Sequence, residues 1–328
     1  MKIAVVGCGA LGSYYGAMLC RAGHRVHFLL RSDYDVVRKS GVWIETESGD
    51  FHVQPECART PEEIGPVNLV VIGLKTTANE MFPQILPPLV GPETAVLTLQ
   101  NGLGNEEAVA AVVGAKKTLG GLCFVCLNRI APGRIRHTAH GAIVMGEYSG
   151  PPQSRTDEIC QSFVTAGVQC TVSQNIEQTH WVKLVWNIPF NGLGVASAAG
   201  YEAVIAGKID PHAKPNSCLT TDILLADPRW EQLVRDVMME VIAAARAKGL
   251  EVPESSADHQ ISRTRQMGAY KASTLVDFER GQPLELETLF LEPLRQAQKA
   301  GVPCPRLKAL CATLQQLSTI QDSGQYPK

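Results

Sequence analysis

The chain has 328 residues, of which 45% are hydrophobic and 19% charged, and a formal net charge of −2. That size and composition suit two packed domains and exclude a disordered chain. The near-neutral balance gives no electrostatic reason to expect a nucleic-acid or anionic-membrane partner, so a small anionic substrate would need a local cluster of donors.

Ten cysteines are scattered from Cys8 to Cys311, most of them in apolar runs where a free thiol packs as a small hydrophobe. No signal peptide is read ahead of the first strand, and no apolar stretch is long enough to span a bilayer. The expectation is a reduced, cytoplasmic protein that neither requires nor excludes a homodimer.

Lys2-Ile3-Ala4-Val5-Val6 is a short β-branched run of the kind that fills a buried parallel strand. It leads into Gly7-Cys8-Gly9-Ala10-Leu11-Gly12, then a helical pattern from Ser13 to Ala22 closed by Gly23, then a second strand at Arg25–Leu30. This is the order of a dinucleotide-binding unit. Gly7 permits the tight turn, Gly9 lets the backbone approach a pyrophosphate, and Gly12 lets the helix pack on the strand. The helix N-terminus offers unpaired N–H groups and a positive dipole end to the phosphates.

An NAD site usually carries Asp or Glu where the second strand ends, accepting from the ribose 2′-hydroxyl. Here Arg31 stands there, and a cation suits a 2′-phosphate; the bland alternative is an ordinary surface arginine. Lys75 follows the apolar run Leu69–Leu74 and projects from that strand's carboxyl end, where α/β sheets bind ligands. Together they favour NADPH.

Val96–Leu99 is another strand, and Gln100-Asn101-Gly102-Leu103-Gly104 is a second turn before a helix opening at Asn105. Asn101 is placed near a nicotinamide, or else is a turn residue tolerating left-handed φ. Cys123 and Cys126 form a C-x-x-C with no second pair, inside the apolar run Leu122–Leu127. That reads as a buried strand, and no metal site is expected. Ile159–Val172 supplies one more helix and strand.

From about Gln174 long helical segments take over, which sets the domains at 1–173 and 174–328. In Gln178–Asn191, residues Lys183, Asn187 and Asn191 are four apart and share one face of a helix rich in Trp, Leu, Val and Ile. Donors aimed at a ligand fit this stripe; a polar seam between helices is the alternative. Arg229–Lys248 is an amphipathic scaffold helix with Leu233, Val237 and Val241 at core spacing. Ser273–Asp277 reads as a helix end, and a new helix is expected to open at Pro283 with Glu285 in its first turn.

With these residues in hand, the chain resembles the ketopantoate reductase (2-dehydropantoate 2-reductase) family from Met1 to about Leu310. The matching signatures are Gly7–Gly12, Leu74-Lys75, Asn101-Gly102, Trp181-x-Lys183-x3-Asn187-x3-Asn191, Ser273-x3-Asp277 and Pro283-Leu-Glu285. The resemblance implies an α/β Rossmann dinucleotide-binding domain followed by an all-α domain of the 6-phosphogluconate dehydrogenase C-terminal type. It implies NADPH-dependent reduction of a 2-oxo acid to a 2-hydroxy acid, 2-dehydropantoate to pantoate in pantothenate biosynthesis.

Carried over by position, Lys183 is the general acid and Glu285 contacts both substrate and cofactor. Asn187, Asn191 and Ser273 hold the substrate, with Thr221 standing in for a family asparagine. Gly7, Cys8, Gly9, Ala10, Leu11, Gly12, Arg31, Lys75, Asn101 and Cys126 surround the cofactor, Cys126 through its backbone and Asn101 bridging to the substrate. The chemistry is coherent without the family: hydride attack on a ketone leaves an alkoxide that needs a proton and nearby positive charge, and a lysine in an apolar setting supplies both. Three departures stand out: an apparent insertion at Ala198–Cys218, Thr221 itself, and Pro189 between the two asparagines, where a helix bond is lost. Two rival readings remain, a reductase of another branched or bulky 2-oxo acid with a pocket reshaped around Thr221, and a non-catalytic NADP-binding sensor.

Overall fold

The computed structural model describes residues 1–210 and 213–322. The chain divides into two compact units, Met1–Glu177 and Gln178–Lys328. The first unit runs β1 (Lys2–Val6), α1 (Ala10–Arg21), β2 (Arg25–Leu29), α2 (Tyr34–Ser40), β3 (Val42–Thr46), β4 (Phe51–Val53), β5 (Glu56–Ala58), α3 (Pro61–Ile64) and β6 (Val67–Ile72). It continues through α4 (Phe82–Ile85), β7 (Val90–Thr98), α5 (Asn105–Val113), β8 (Thr118–Ala131), β9 (Arg134–Glu147), α6 (Ser154–Thr165) and β10 (Cys170–Val172).

The strands form one sheet in the order β4-β3-β9-β8-β7-β6-β1-β2-β5, with β10 added on β9. Residues Ile3–Val6 of β1 are fully buried and paired with parallel strands on both sides, β2 and β6. That double burial is why the strand reads as a continuous apolar run. Since β2 is reached through α1 on one side of β1 and β6 lies on the other, the strand order reverses beside the carboxyl end of β1. Such a switch point is where open α/β sheets take ligands.

Helix α1 ends as its sequence requires. Gly23 adopts φ +87, its N–H bonds to the Cys20 carbonyl at 3.0 Å, and the His24 N–H bonds to the Leu19 carbonyl at 3.2 Å. This pair of bonds is a Schellman closure, and glycine at the left-handed position makes it inexpensive. The apolar run at Leu122–Leu127 is only the middle of the fourteen-residue strand β8, which pairs antiparallel with β9 across three register shifts. Its outer half was not legible because bulges and partial exposure break the alternation. At one of these shifts His140 takes φ +62, the only positive φ outside glycine among the described residues, next to Gly141 at φ +129.

The regular structure of the second unit is all helical among its described residues, with loops between the helices. Helix α7 (Ile176–Ala196) crosses the boundary and is followed by α8 (Tyr201–Ala206), α9 (Thr221–Ala226), α10 (Pro228–Ala247), α11 (Ser255–Arg265), α12 (Ser273–Glu279), α13 (Glu292–Lys299) and α14 (Pro305–Asp322). Leu233, Val237 and Val241 of α10 are buried, as their spacing predicts. Helix α7 runs unbroken through Pro189 to Ala196. Gly192 brings it close to α14: a Cβ there would stand 2.7 Å from Leu310 Cδ2. The stretch 198–218 folds back on its own start, Asn216 N–H to the Ala198 carbonyl at 2.8 Å. It is tied to α14 by Gln316, which donates to the Gly207 carbonyl at 2.9 Å and accepts from Ile209 N–H at 3.0 Å. Pro211 and His212 of this stretch lie outside the described residues.

Among the described residues no helix is long and apolar enough to cross a membrane, and no cluster of three or more His, Cys, Asp or Glu could hold a metal ion.

Candidate active site

In the first unit, the turn from β1 to α1 has little room for side chains where backbone meets backbone. Gly7 adopts φ +92, and a Cβ on it would overlap the amide nitrogen of Leu74; a Cβ on Gly12 would overlap the Gly7 carbonyl oxygen. Gly9 is different. It is exposed, and a Cβ on it would meet nothing within 4 Å. Two glycines therefore serve the packing of the turn, while the third leaves an open backbone face at the start of α1. Gly9 occupies the N-cap position of that helix and supplies no side-chain cap, so the first N–H groups keep their capacity for an anion.

Ser13 steadies the turn, its hydroxyl donating to the Cys8 carbonyl at 2.9 Å. The Cys8 thiol is held well above its ordinary value by burial, with the neighbouring Cys57 thiol and Asp33 carboxylate adding to the effect. Ala10 and Leu11 are half-buried at the helix start.

Arg31 is exposed just past β2. Asp33, two residues on, is buried and accepts from Arg129 at 2.6 and 3.1 Å, from the Ser32 hydroxyl at 3.0 Å and from Gly133 N–H at 3.3 Å. Lys75 is exposed after β6, at the start of the short 3-10 helix Thr76–Met81. Cys126 is half-buried in the middle of β8, opposite Ala139.

Asn101 is half-buried in the turn after β7. The left-handed positions of that turn belong to Gly102 (φ +90) and Gly104 (φ +86), so Asn101 is not there to tolerate one. A polar network that sequence reading missed fixes it. Asn105 Nδ2 donates to the Asn101 carbonyl at 2.9 Å, Asn79 Nδ2 to Asn105 Oδ1 at 2.9 Å, and Gln100 Nε2 to Asn79 Oδ1 at 2.7 Å. The Thr98 hydroxyl closes it on Gln100 Oε1 at 2.8 Å. Local sequence supplied part of the signal, Thr98, Gln100 and Asn105 all being polar yet buried; Asn79 arrives from a distant turn and was not traceable.

In the second unit, Lys183, Asn187 and Asn191 lie one turn apart on α7. Lys183 is half-buried. Asn187 is only 7% exposed, and its side-chain amide takes no hydrogen bond from any described residue. Asn191, at 2%, is engaged: its Oδ1 accepts from Thr274 N–H at 3.0 Å and from the Ser273 hydroxyl at 3.2 Å. The stripe thus ends in a seam, while Asn187, one turn earlier, bonds to no described residue.

Three expectations change here. Ser273 opens α12 instead of closing a helix, because Asn191 supplies the cap that Ala272 lacks. The helix predicted at Pro283 starts at Leu286 and passes through a π-turn at Glu287–Leu291. Glu285 therefore precedes the helix, its carbonyl accepting from Leu289 N–H at 3.3 Å, and it remains half-buried. Thr221 is 2% exposed and its hydroxyl is spent on the loop carbonyls of Gly268 at 2.9 Å and Tyr270 at 3.3 Å. It staples a loop and offers no face to a substrate.

Comparison with known proteins identifies the family. Residues 3–150 match the family model described as ketopantoate reductase PanE/ApbA, and residues 216–318 match that of the ketopantoate reductase PanE/ApbA C terminal. The chain is 37% identical to a 2-dehydropantoate 2-reductase of Nostoc sp., over 99% of this chain and 97% of that protein. It superposes on the crystal structure of 2-dehydropantoate 2-reductase from Geobacter metallireducens GS-15 with a TM-score of 0.87 and 41% identity, covering 96% and 99% of the two chains. A ternary structure of D-mandelate dehydrogenase with NADH and anilino(oxo)acetate shares the fold at 18% identity, with a TM-score of 0.84 and coverage of 98% and 99%.

Proposed function

This chain belongs to the ketopantoate reductase family, and from that premise we propose that it reduces 2-dehydropantoate to pantoate with NADPH, using Lys183 as proton donor. It is an oxidoreductase of the 2-dehydropantoate 2-reductase class acting on a small keto acid. The observation that carries the residue assignment is Asn187. Its side-chain amide bonds to no described residue and, unlike His27 Nε2 and Trp181 Nε1, is not sealed from solvent, so it is open to a ligand a single turn from the half-buried Lys183.

A nicotinamide dinucleotide fits the first unit. The open backbone of Gly9, the uncapped start of α1 and the positive side chains of Arg31 and Lys75 are the donor set that a pyrophosphate and a 2′-phosphate require. When bound, the cofactor supplies the hydride. Everything else falls to the chain. Asn101, its backbone anchored by Asn105, presents its side chain to the cofactor. Asn187 donates to the substrate carboxylate, while Ser273, whose hydroxyl proton goes to Asn191 Oδ1, offers its oxygen as an acceptor to a substrate hydroxyl. Lys183 transfers its proton to the oxygen that becomes the new hydroxyl, its charge offsetting the negative charge that develops there. Glu285 orients that lysine and the hydroxyl.

The rival reading of a pocket reshaped around Thr221 loses its residue to the Gly268–Tyr270 loop. The test is a panel of 2-oxo acids with NADPH, following loss of nicotinamide absorbance. The highest kcat/KM is expected for 2-dehydropantoate; a distinctly better substrate elsewhere in the panel would replace it.

A further inference from the structure

The acid missing from the end of β2 is displaced by two residues. Arg31 takes its place, and Asp33 follows in the turn into α2. A carboxylate there would serve a ribose 2′-hydroxyl and repel a 2′-phosphate. β2 pairs with β1 up to Val6 and Leu29, so the turn that holds Asp33 leaves the sheet beside the dinucleotide turn that begins at Gly7.

Asp33 does not stand open. Arg129, 96 positions away on β8, grips both carboxylate oxygens with Nε and one terminal nitrogen, at 3.1 and 2.6 Å. Gly133 N–H, from the turn between β8 and β9, adds a bond at 3.3 Å, and the Ser32 hydroxyl adds one at 3.0 Å. Two-point pairing of guanidinium and carboxylate is the strong, orientation-specific form of this contact. The guanidinium remains part-exposed while the carboxylate is buried beneath it, so the turn shows solvent a cation where its sequence holds an anion.

We propose that Arg129 is a specificity-determining residue for the cofactor: it neutralises and covers Asp33, so that the turn carrying Arg31 receives a 2′-phosphate instead of a ribose 2′-hydroxyl. The inference rests on the NADPH reading above and adds a residue to it. The pair also pins the β8–β9 turn to the β2–α2 turn, which fixes the surface on which the phosphate would rest.

The experiment measures Kd for NADPH and for NADH separately, by calorimetry on the purified full chain, so that no turnover is needed. The unmutated protein is expected to prefer NADPH. Arg129→Ala should cut that preference about tenfold or more by unmasking a carboxylate beside the phosphate, with NADH affinity unchanged or improved. Arg129→Lys keeps the charge and should stay close to the unmutated ratio. Adding Asp33→Asn to Arg129→Ala should restore most of the preference. Should Arg129→Ala fail to fold, Arg129→Gln carries the same forecast. Equal weakening of both cofactors, with an unchanged ratio, would reduce the pair to a structural tie and overturn the proposal. An unmutated protein with no preference for NADPH would instead overturn the reading on which it rests.

Discussion

The Asn191 side-chain carbonyl caps the helix that begins beside it, accepting from Thr274 N–H at 3.0 Å. The same oxygen receives the Ser273 hydroxyl at 3.2 Å, so one buried amide both caps a helix start and fixes the hydroxyl that is proposed to meet the substrate. Asn187, one turn earlier, has no such duty. The two asparagines should therefore respond differently to truncation. Asn191→Ala should lower stability by about 1–3 kcal/mol, the cost of a lost cap and a buried unsatisfied N–H, and should raise KM through Ser273. Asn187→Ala should raise KM for the keto acid with little change in Tm. Urea unfolding and steady-state kinetics on both variants check this, and equal stability losses would remove the distinction.

The glycines of the first turn divide the same way. Gly9→Ala has space for its methyl, so Tm should stay within about 3 °C of the unmutated protein. The methyl occupies the face a pyrophosphate must approach, so NADPH affinity should fall at least about tenfold. Gly12→Ala would push against the Gly7 carbonyl and should instead unfold early. Melting curves paired with cofactor titration separate the two. A tight-binding Gly9→Ala protein would place the pyrophosphate elsewhere.

Arg31 is exposed just past β2 and, with NADPH as the cofactor, is proposed to meet the 2′-phosphate. Arg31→Ala should weaken NADPH by about tenfold or more, since a charge-assisted contact to phosphate is worth about 1.5–3 kcal/mol, and should leave NADH nearly untouched. Cofactor titrations by fluorescence give both constants. Parallel losses for the two cofactors would make Arg31 an ordinary surface cation.

Asp33 supplies the pH dependence. Burial pushes its carboxyl up, but hydrogen bonds from Arg129 and Ser32, the Arg129 charge and the Gly133 N–H together hold it below its ordinary value. A folded-state value below the unfolded one means that ionised Asp33 stabilises the fold. The contribution is complete above the unfolded value, near pH ~3.9, and is lost as pH falls through the lower folded value. Asp33→Asn should thus cost about 1–3 kcal/mol at neutral pH, and the gap should close in strong acid. Unfolding free energies across that range test the sign, which is contradicted by a gap that widens as pH falls.

The local features were legible because their causes are local. A doubly buried strand must be apolar along its whole length, a Schellman closure wants glycine at Gly23, and a four-residue spacing puts Lys183, Asn187 and Asn191 on one helix face. What escaped sequence reading depends on partners far along the chain. Nothing near Asp33 announces Arg129, nothing near Asn101 announces Asn79, and Thr221 becomes a staple only because the Gly268–Tyr270 loop folds onto it. The start of the helix after Pro283 was misjudged for a different reason. Proline suits a first turn equally well when the turn is deferred, and the π-turn at Glu287–Leu291 has no simple sequence signature.

Lys183 decides the matter. As the proposed donor of the proton that accompanies hydride transfer, it would act chiefly in the transition state. Lys183→Ala should lower kcat for 2-dehydropantoate reduction on the order of 10²–10⁴-fold, while Tm and NADPH affinity stay close to the unmutated values. The decisive measurement is kcat of this variant alongside its melting curve and its NADPH Kd. A large loss of kcat in a stable, NADPH-binding protein is the predicted result. A stable Lys183→Ala protein that turns over 2-dehydropantoate at the unmutated rate would show that the proton comes from another group.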